Sequence, residues 1–226
     1  MKAVIFDLDQ TLLDRDQSLL NFVRWQCRGM LRPYVKDEEK FIARFIELDS
    51  NGTVWKDNVY KTLLDEFNIQ AWSSVELLSV YENCFCGFSI PREGVREALL
   101  DISQSCKIGL ISNGMSPFQE RNFRGLGLFS LFQSVIVSQA VNLRKPDARI
   151  FQMGCEELGV EPSETVYVGD NPIADIKGAR DAGLFTVFIP TSLHPNCAAA
   201  DATCEDMKNL PTIIRKLANQ AVEPTR

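Results

Sequence analysis

Short apolar runs and amphipathic stretches alternate along most of this chain. Residues 2–6 (Lys-Ala-Val-Ile-Phe) form a β-branched and aromatic run that ends at Asp7, as a buried strand does where it leaves a sheet. The same signature returns at 107–111, 134–137, 165–168 and 185–189. Between these runs, 92–104, 117–126, 148–158 and 173–182 carry apolar residues at spacings of three and four. Strands separated by helices of this length imply βαβ units and a parallel sheet. Helix starts are predicted at Pro117, with Ser116 as N-cap, and after Pro146, with Asp147 as N-cap; Gly159 and Gly183 predict helix stops. A last amphipathic helix is predicted over 207–218, with Leu210, Ile213, Ile214 and Leu217 on one face.

Residues 16–88 break this alternation. Their apolar positions (Leu19, Leu20, Phe22, Val23; Phe41, Ile42, Phe45, Ile46; Tyr60, Leu63, Leu64, Phe67; Val75, Leu77, Leu78, Tyr81) keep helical spacing and suggest four helices without a strand. The turn cluster Asp49-Ser50-Asn51-Gly52 interrupts them. The economical reading is a helical insert over 16–88 in an α/β core built from 1–15 and 89–226. Trp25, Trp55 and Trp72 read as core, and Arg15, Arg44 and Lys56 as solvated charges, so none is assigned to catalysis.

Composition narrows the classes. At 226 residues with 45% hydrophobic and 24% charged content, the chain builds an ordinary globular core. A net charge of −6, from 24 basic and 30 acidic residues, lacks the basic footprint of a nucleic-acid binder. Seven cysteines without a CxxC pair and a single histidine, His194 in a Pro-rich loop, suggest neither a disulfide framework nor a zinc site, so a reducing cytoplasm is expected. The opening apolar run is too short for a secretory signal, and the charge-free runs 125–143 and 182–200 are too polar or proline-broken for a membrane span.

The chemistry-bearing residues fall at strand ends. Asp7 and Asp9, at i and i+2, follow the first strand; Ser112-Asn113-Gly114 follows the second; Lys145 precedes a helix; Gly169-Asp170 and then Asp175 follow another strand. Each has a plain reading as a turn, cap or surface residue. Together they sit where open α/β sheets place their ligand crevice.

With Asp7-Leu8-Asp9-Gln10-Thr11, Ser112-Asn113-Gly114, Lys145, and Gly169-Asp170 with Asp175 in that order, the chain resembles the haloacid dehalogenase (HAD) superfamily. The resemblance covers the core strand by strand. It implies a doubly wound, Rossmann-like parallel sheet with an inserted all-helical cap where the insert lies. It also implies Asp7 as nucleophile, Asp9 as general acid and base, and Ser112, Asn113, Gly114 and Lys145 around a phosphoryl group. Mg2+ would be held by Asp7, the backbone carbonyl of Asp9 and Asp170, with Asp175 just behind. Elementary chemistry agrees, since a carboxylate is a competent nucleophile toward phosphorus and so many carboxylates beside a phosphate need a hard cation. The expected activity is magnesium-dependent hydrolysis of a small phosphorylated metabolite, a nucleotide or sugar phosphate, through an aspartyl-phosphate intermediate. Asp9 disfavours the dehalogenase branch; a sugar phosphomutase, a 2-haloacid dehalogenase or a non-catalytic binding protein remain alternatives. A monomer or homodimer with no nucleic-acid or membrane partner is expected, and the strand order stays open.

Overall fold

The computed structural model describes residues 1–222. After β1 (Ala3–Phe6) come α1 (Arg15–Gln26), α2 (Glu38–Asp49), α3 (Lys56–Glu66) and α4 (Ser74–Cys84). Then follow α5 (Val95–Ile102), β2 (Lys107–Ser112), α6 (Phe118–Gly125), β3 (Ser134–Val137), the short α7 (Ser138–Val141), α8 (Ala148–Leu158) and β4 (Thr165–Gly169). The chain continues with the short α9 (Gly178–Asp181), β5 (Phe185–Phe188), β6 (Ala202–Thr203) and α10 (Leu210–Val222). Two units result: Met1–Asp14 with the chain from Ile90 onward, and Arg15–Ser89.

In the first unit all described strands pair in parallel, in the order β3-β2-β1-β4-β5-β6. This is a doubly wound sheet whose order reverses between β1 and β4, so the carboxyl ends of β1, β2 and β4 lie side by side at the switch point. Ala3, Val4, Ile5 and Phe6 are all fully buried, which is why β1 reads as a continuous apolar run. Helix α8 buries Ile150, Phe151, Cys155 and Leu158 against Ile5, Ile111, Ile136 and Tyr167.

The predicted caps divide. Asp147 accepts from the Arg149 amide at the start of α8, and Gly159 ends it in the left-handed region at φ +62°. Ser116 does not cap α6. Its Oγ donates to Glu120 Oε1 at 2.5 Å instead, and α6 starts at Phe118. The helix expected over 173–182 is a wide turn, Pro172–Lys177, that runs into α9; the Asn171 side chain caps it by accepting from the Ile173 and Ala174 amides. Strand β6 was not predicted. Asp201 Oδ2, which accepts from both the amide and the hydroxyl of Thr186, fastens it to β5.

Gly178 shows how tightly the loops near the sheet's carboxyl edge are seated. A Cβ there would lie 2.8 Å from Pro146 Cα and 2.8 Å from Phe151 Cε2. Backbone cannot yield as a flexible side chain does, so Gly178→Ala is expected to destabilise by about 1–3 kcal/mol and to lower Tm by about 2–12 °C in a thermal melt. An unchanged Tm would show that this approach is not close-packed.

The second unit holds four helices. Asp37 caps α2, and Ser73 with Glu76 forms a capping box on α4. Its interior is aromatic: the Phe22 ring meets Tyr81, Phe85 and Phe88 edge-on or tilted, and buried Tyr60 donates to Gln26 Oε1 at 2.8 Å. Two expectations are corrected here. None of the three tryptophans is fully buried, and Trp25 is 41% exposed although its ring lies tilted against Phe22 and Phe88. Lys56 and Arg15 are not solvated charges: Lys56 is buried and paired with Asp49, which also accepts from both Arg15 Nη atoms at 2.9 and 3.0 Å and from the Gly52 amide. Arg44 does lie at the surface, bridging Glu66 and Glu47. Among the described residues no helix is long and apolar enough to cross a membrane, and the seven cysteines are free.

Candidate active site

The site grows from three strand ends. As β1 stops, the Asp7 amide donates to Val168 O of β4, and the chain curls so tightly that the amides of Thr11, Leu12 and Leu13 all point at Leu8 O, at 2.9 to 3.3 Å. Gln10 takes the left-handed conformation at φ +59°, and Arg92 Nη1 donates to its carbonyl. This curl holds the backbone between Asp7 and Asp9.

Lys145 stands at the centre, 3% exposed. Its ammonium donates to Asp7 Oδ1 at 2.5 Å, Asp175 Oδ1 at 2.7 Å and the Tyr167 hydroxyl at 2.8 Å, so three protons meet three acceptors. Tyr167 in turn donates to Ile111 O at 3.1 Å. Burial opposes the charge on Lys145, but the Asp175 and Asp7 carboxylates outweigh it and hold the ammonium protonated.

Asp7, Asp170 and Asp175 bring a carboxylate oxygen each to within 4.8 Å of one another. Asp175 is already engaged, since its Oδ2 accepts from the Asn171 amide at 3.0 Å and its carboxyl lies over Gly169, where a Cβ would come within 2.5 Å of it. One lysine cannot balance three carboxylates, two of them buried and the third, Asp170, half-buried. Burial, the largest cause, lifts Asp7 from 3.8 to about 7 against the pull of Lys145 and with the push of Asp175. Burial again, then the charges of Asp7 and Asp175, lift Asp170 to about 8. The second acid to ionise does so beside the first, so the two titrate as a pair.

One expectation about the phosphate loop needs correction, that for Gly114. The Asn113 side chain holds Lys145, with Nδ2 donating to its carbonyl and Oδ1 accepting from its amide, both at 3.0 Å, and so anchors that lysine. The Gly114 amide donates to Ser138 Oγ at 3.0 Å and is not open to a phosphoryl oxygen. Ser112, the last residue of β2, is where expected and buried. The Asp9 carboxylate stands outside the acidic cluster: its Oδ2 accepts from Gln119 Nε2 at 2.7 Å.

The sequence reading missed Gln119, Tyr167 and Asn171. Gln119 did leave a trace. With Asn122, Phe123 and Leu126 it forms one helical face, and primary amides on a face shared with buried apolar residues need polar partners.

The sequence pattern of the haloacid dehalogenase-like hydrolases matches residues 4–189. The chain belongs to this family. A glyceraldehyde 3-phosphate phosphatase of Methanocaldococcus jannaschii is 26% identical over 96% of this chain and 98% of its own. A pyrimidine 5′-nucleotidase of Escherichia coli is 27% identical over 82% of this chain and 84% of its own. Among solved structures, a HAD-hydrolase of Bacillus subtilis bound to magnesium superposes with a TM-score of 0.71 at 23% identity, covering 94% of this chain and 98% of that one. This hydrolase thus carries the doubly wound sheet of its family, and its acids sit at the switch point of that sheet.

Proposed function

We propose that the protein is a magnesium-dependent phosphomonoester hydrolase acting on a small phosphorylated metabolite, a nucleotide or sugar phosphate. The observation that carries this reading is the buried Asp7 carboxylate, clasped through Oδ1 by an ammonium that Asp175 and Tyr167 also hold. A carboxylate fixed through one oxygen in this way is suited to act as a nucleophile through the other. The names of two relatives, a phosphatase covering 96% of this chain and a nucleotidase covering 82%, support the same reaction.

The donor set fits a hard divalent cation. Three carboxylates share one lysine, and the protons that Asp7 and Asp170 retain stand in for missing positive charge. Asp7 and Asp170, with the backbone carbonyl of Asp9, would hold Mg2+, while Asp175 serves from behind through Lys145 and Asn171. When bound, the ion supplies the charge that lets a dianionic phosphate approach ionised Asp7.

The chain's own residues do the rest. Asp7 attacks phosphorus and the ester bond to the leaving oxygen breaks; Asp9 protonates that oxygen, then takes a proton from the water that hydrolyses the aspartyl phosphate. Ser112 donates its hydroxyl to a phosphoryl oxygen, and Lys145 offsets charge on Asp7 and on the transferring group. The helical unit, in this reading, selects the leaving group as the cap. Seven free cysteines suit a reducing cytoplasm.

The test is phosphate release from a panel of nucleotides, sugar phosphates, triose phosphates and an aryl phosphate, with magnesium or with EDTA. Release by at least one ester that EDTA abolishes and magnesium restores is expected. Silence of the folded protein over the whole panel sinks the reading.

A further inference from the structure

The inference concerns Gln119 and rests on the hydrolytic reading above. Its side chain is buried on the first turn of α6. Nε2 donates to Asp9 Oδ2 at 2.7 Å and to Ser112 Oγ at 3.1 Å, so the two hydrogens of one amide group join the acid after β1 to the hydroxyl at the end of β2. Oε1 accepts from Asn122 Nδ2 at 3.2 Å, and the Asp9 carboxylate, an acceptor, takes the donor end of the amide.

An independent observation shows that the local backbone is shaped for this side chain. A Cβ on Gly114 would come within 2.5 Å of Gln119 Cγ and 3.0 Å of its Cδ and Nε2. The glycine in Ser112-Asn113-Gly114 is therefore the space through which Gln119 reaches the acids. With the Gly114 amide turned to Ser138, that space, rather than a phosphate contact, accounts for the residue.

We propose that Gln119 is a positioning residue for the reaction, setting the Asp9 carboxylate toward the leaving oxygen and making Ser112 Oγ an acceptor from the amide so that its hydroxyl hydrogen points at the phosphoryl group. Three consequences follow from the geometry. With Oδ2 tied to the amide, Oδ1 is the atom that carries the proton to the leaving group. A hydroxyl that accepts from Gln119 has its own hydrogen to give. Both effects come from one side chain, so removing it disturbs protonation and phosphate contact together, and only the first depends on the leaving group.

That difference supplies the test. Gln119→Met keeps the length and apolar volume of the side chain over Gly114 and loses both donors. For alkyl phosphates, whose leaving alkoxide needs a proton, kcat is expected to fall by about 10–100-fold with KM within about threefold, because supporting hydrogen bonds of this kind carry effects of that size. For p-nitrophenyl phosphate, whose leaving group departs without help, only the share of the loss that comes through Ser112 should remain, so the fall should be clearly smaller. Equal losses on both substrates, or none, overturn the proposal while leaving the hydrolytic reading intact. Should the Met variant fail to fold, Gln119→Leu takes its place, since it is apolar, leaves the space over Gly114 open and has no hydrogen to donate. A crystal structure of either folded variant gives a readout without turnover. Asp9 and Ser112 side chains displaced from their shared position support the positioning role, and both side chains unmoved overturn it, whereas silence of the folded wild type over the phosphate panel overturns the hydrolytic reading on which the proposal rests.

Discussion

Asp7→Asn is expected to cut magnesium-dependent phosphate release by about 10⁴-fold or more while the protein stays folded. The amide has the shape of the carboxylate and keeps Oδ1 as an acceptor for Lys145, so the hydrogen bond that anchors the position survives. What disappears is the proposed nucleophile, since an amide oxygen does not form a stable phosphoryl ester that water can cleave. The loss belongs in kcat, because Ser112 and Lys145 still meet the phosphate. Folding should not suffer. Asp7 in the wild type is a buried acid lifted to about 7, mainly by burial, so the metal-free folded state gains nothing from its charge. Phosphate assays and thermal melts in EDTA on the same preparation separate the two effects. Turnover within tenfold of wild type would remove Asp7 from the role of nucleophile.

The residues legible in the sequence are those whose role is written into one short segment. Asp7, Ser112 and Asp170 end apolar runs, and a strand that stops at a polar residue announces a sheet edge before any fold is known. Asp147 and Gly159 are legible for a similar reason, since caps act within one turn of backbone. What the sequence hid depends on partners far along the chain. The strand order rests on ladder hydrogen bonds between segments such as β1 and β4, some 160 residues apart, and no local pattern encodes it. Strand β6 exists because Asp201 grips Thr186. Lys56 looked like a surface charge until its partner Asp49 was seen, and the same holds for Gln119 with Asp9. Gly114 shows the converse failure: a motif located correctly, with an amide duty assigned to the ligand that belongs to Ser138. Motif spacing says which loops meet. Which atom faces which is decided by hydrogen-bond geometry.

Asp170→Asn should make the metal-free protein more stable and the magnesium-loaded protein less stable than wild type, and so reverse their order on a thermal melt. Asp170 is lifted to about 8 by burial and by the charges of Asp7 and Asp175. In the unfolded chain the same acid titrates near 3.8. Below about pH 4 both states are protonated and the group adds no pH dependence. From about pH 4 to about 8 the folded state keeps a proton that the unfolded state has released, so unfolding becomes easier with each unit of pH, by up to about 1.4 kcal/mol per retained proton. Above about pH 8 both states are ionised and the slope ends. Asparagine has nothing to ionise, which removes this contribution and relieves the repulsion on Asp7. In EDTA at pH 8 the variant is expected to melt about 2–8 °C above wild type, corresponding to about 1–2 kcal/mol once water penetration and the shared titration of the pair are allowed for. Its melting temperature should also fall less between pH 5 and 8. Magnesium acts in the opposite sense. An ion that binds only the folded state stabilises it by mass action, and it displaces the very protons that made the metal-free wild type weak at high pH. Wild type should therefore gain from millimolar magnesium, more at pH 8 than at pH 6, whereas the variant gains little and its phosphate release falls by about 10²-fold or more. If magnesium raised the melting temperature of both proteins equally, Asp170 would be no ligand of the ion. If instead the variant melted below wild type in EDTA at pH 8, the repulsion assigned to the three carboxylates would be absent, and the argument that this cluster is built for a cation would fall with it.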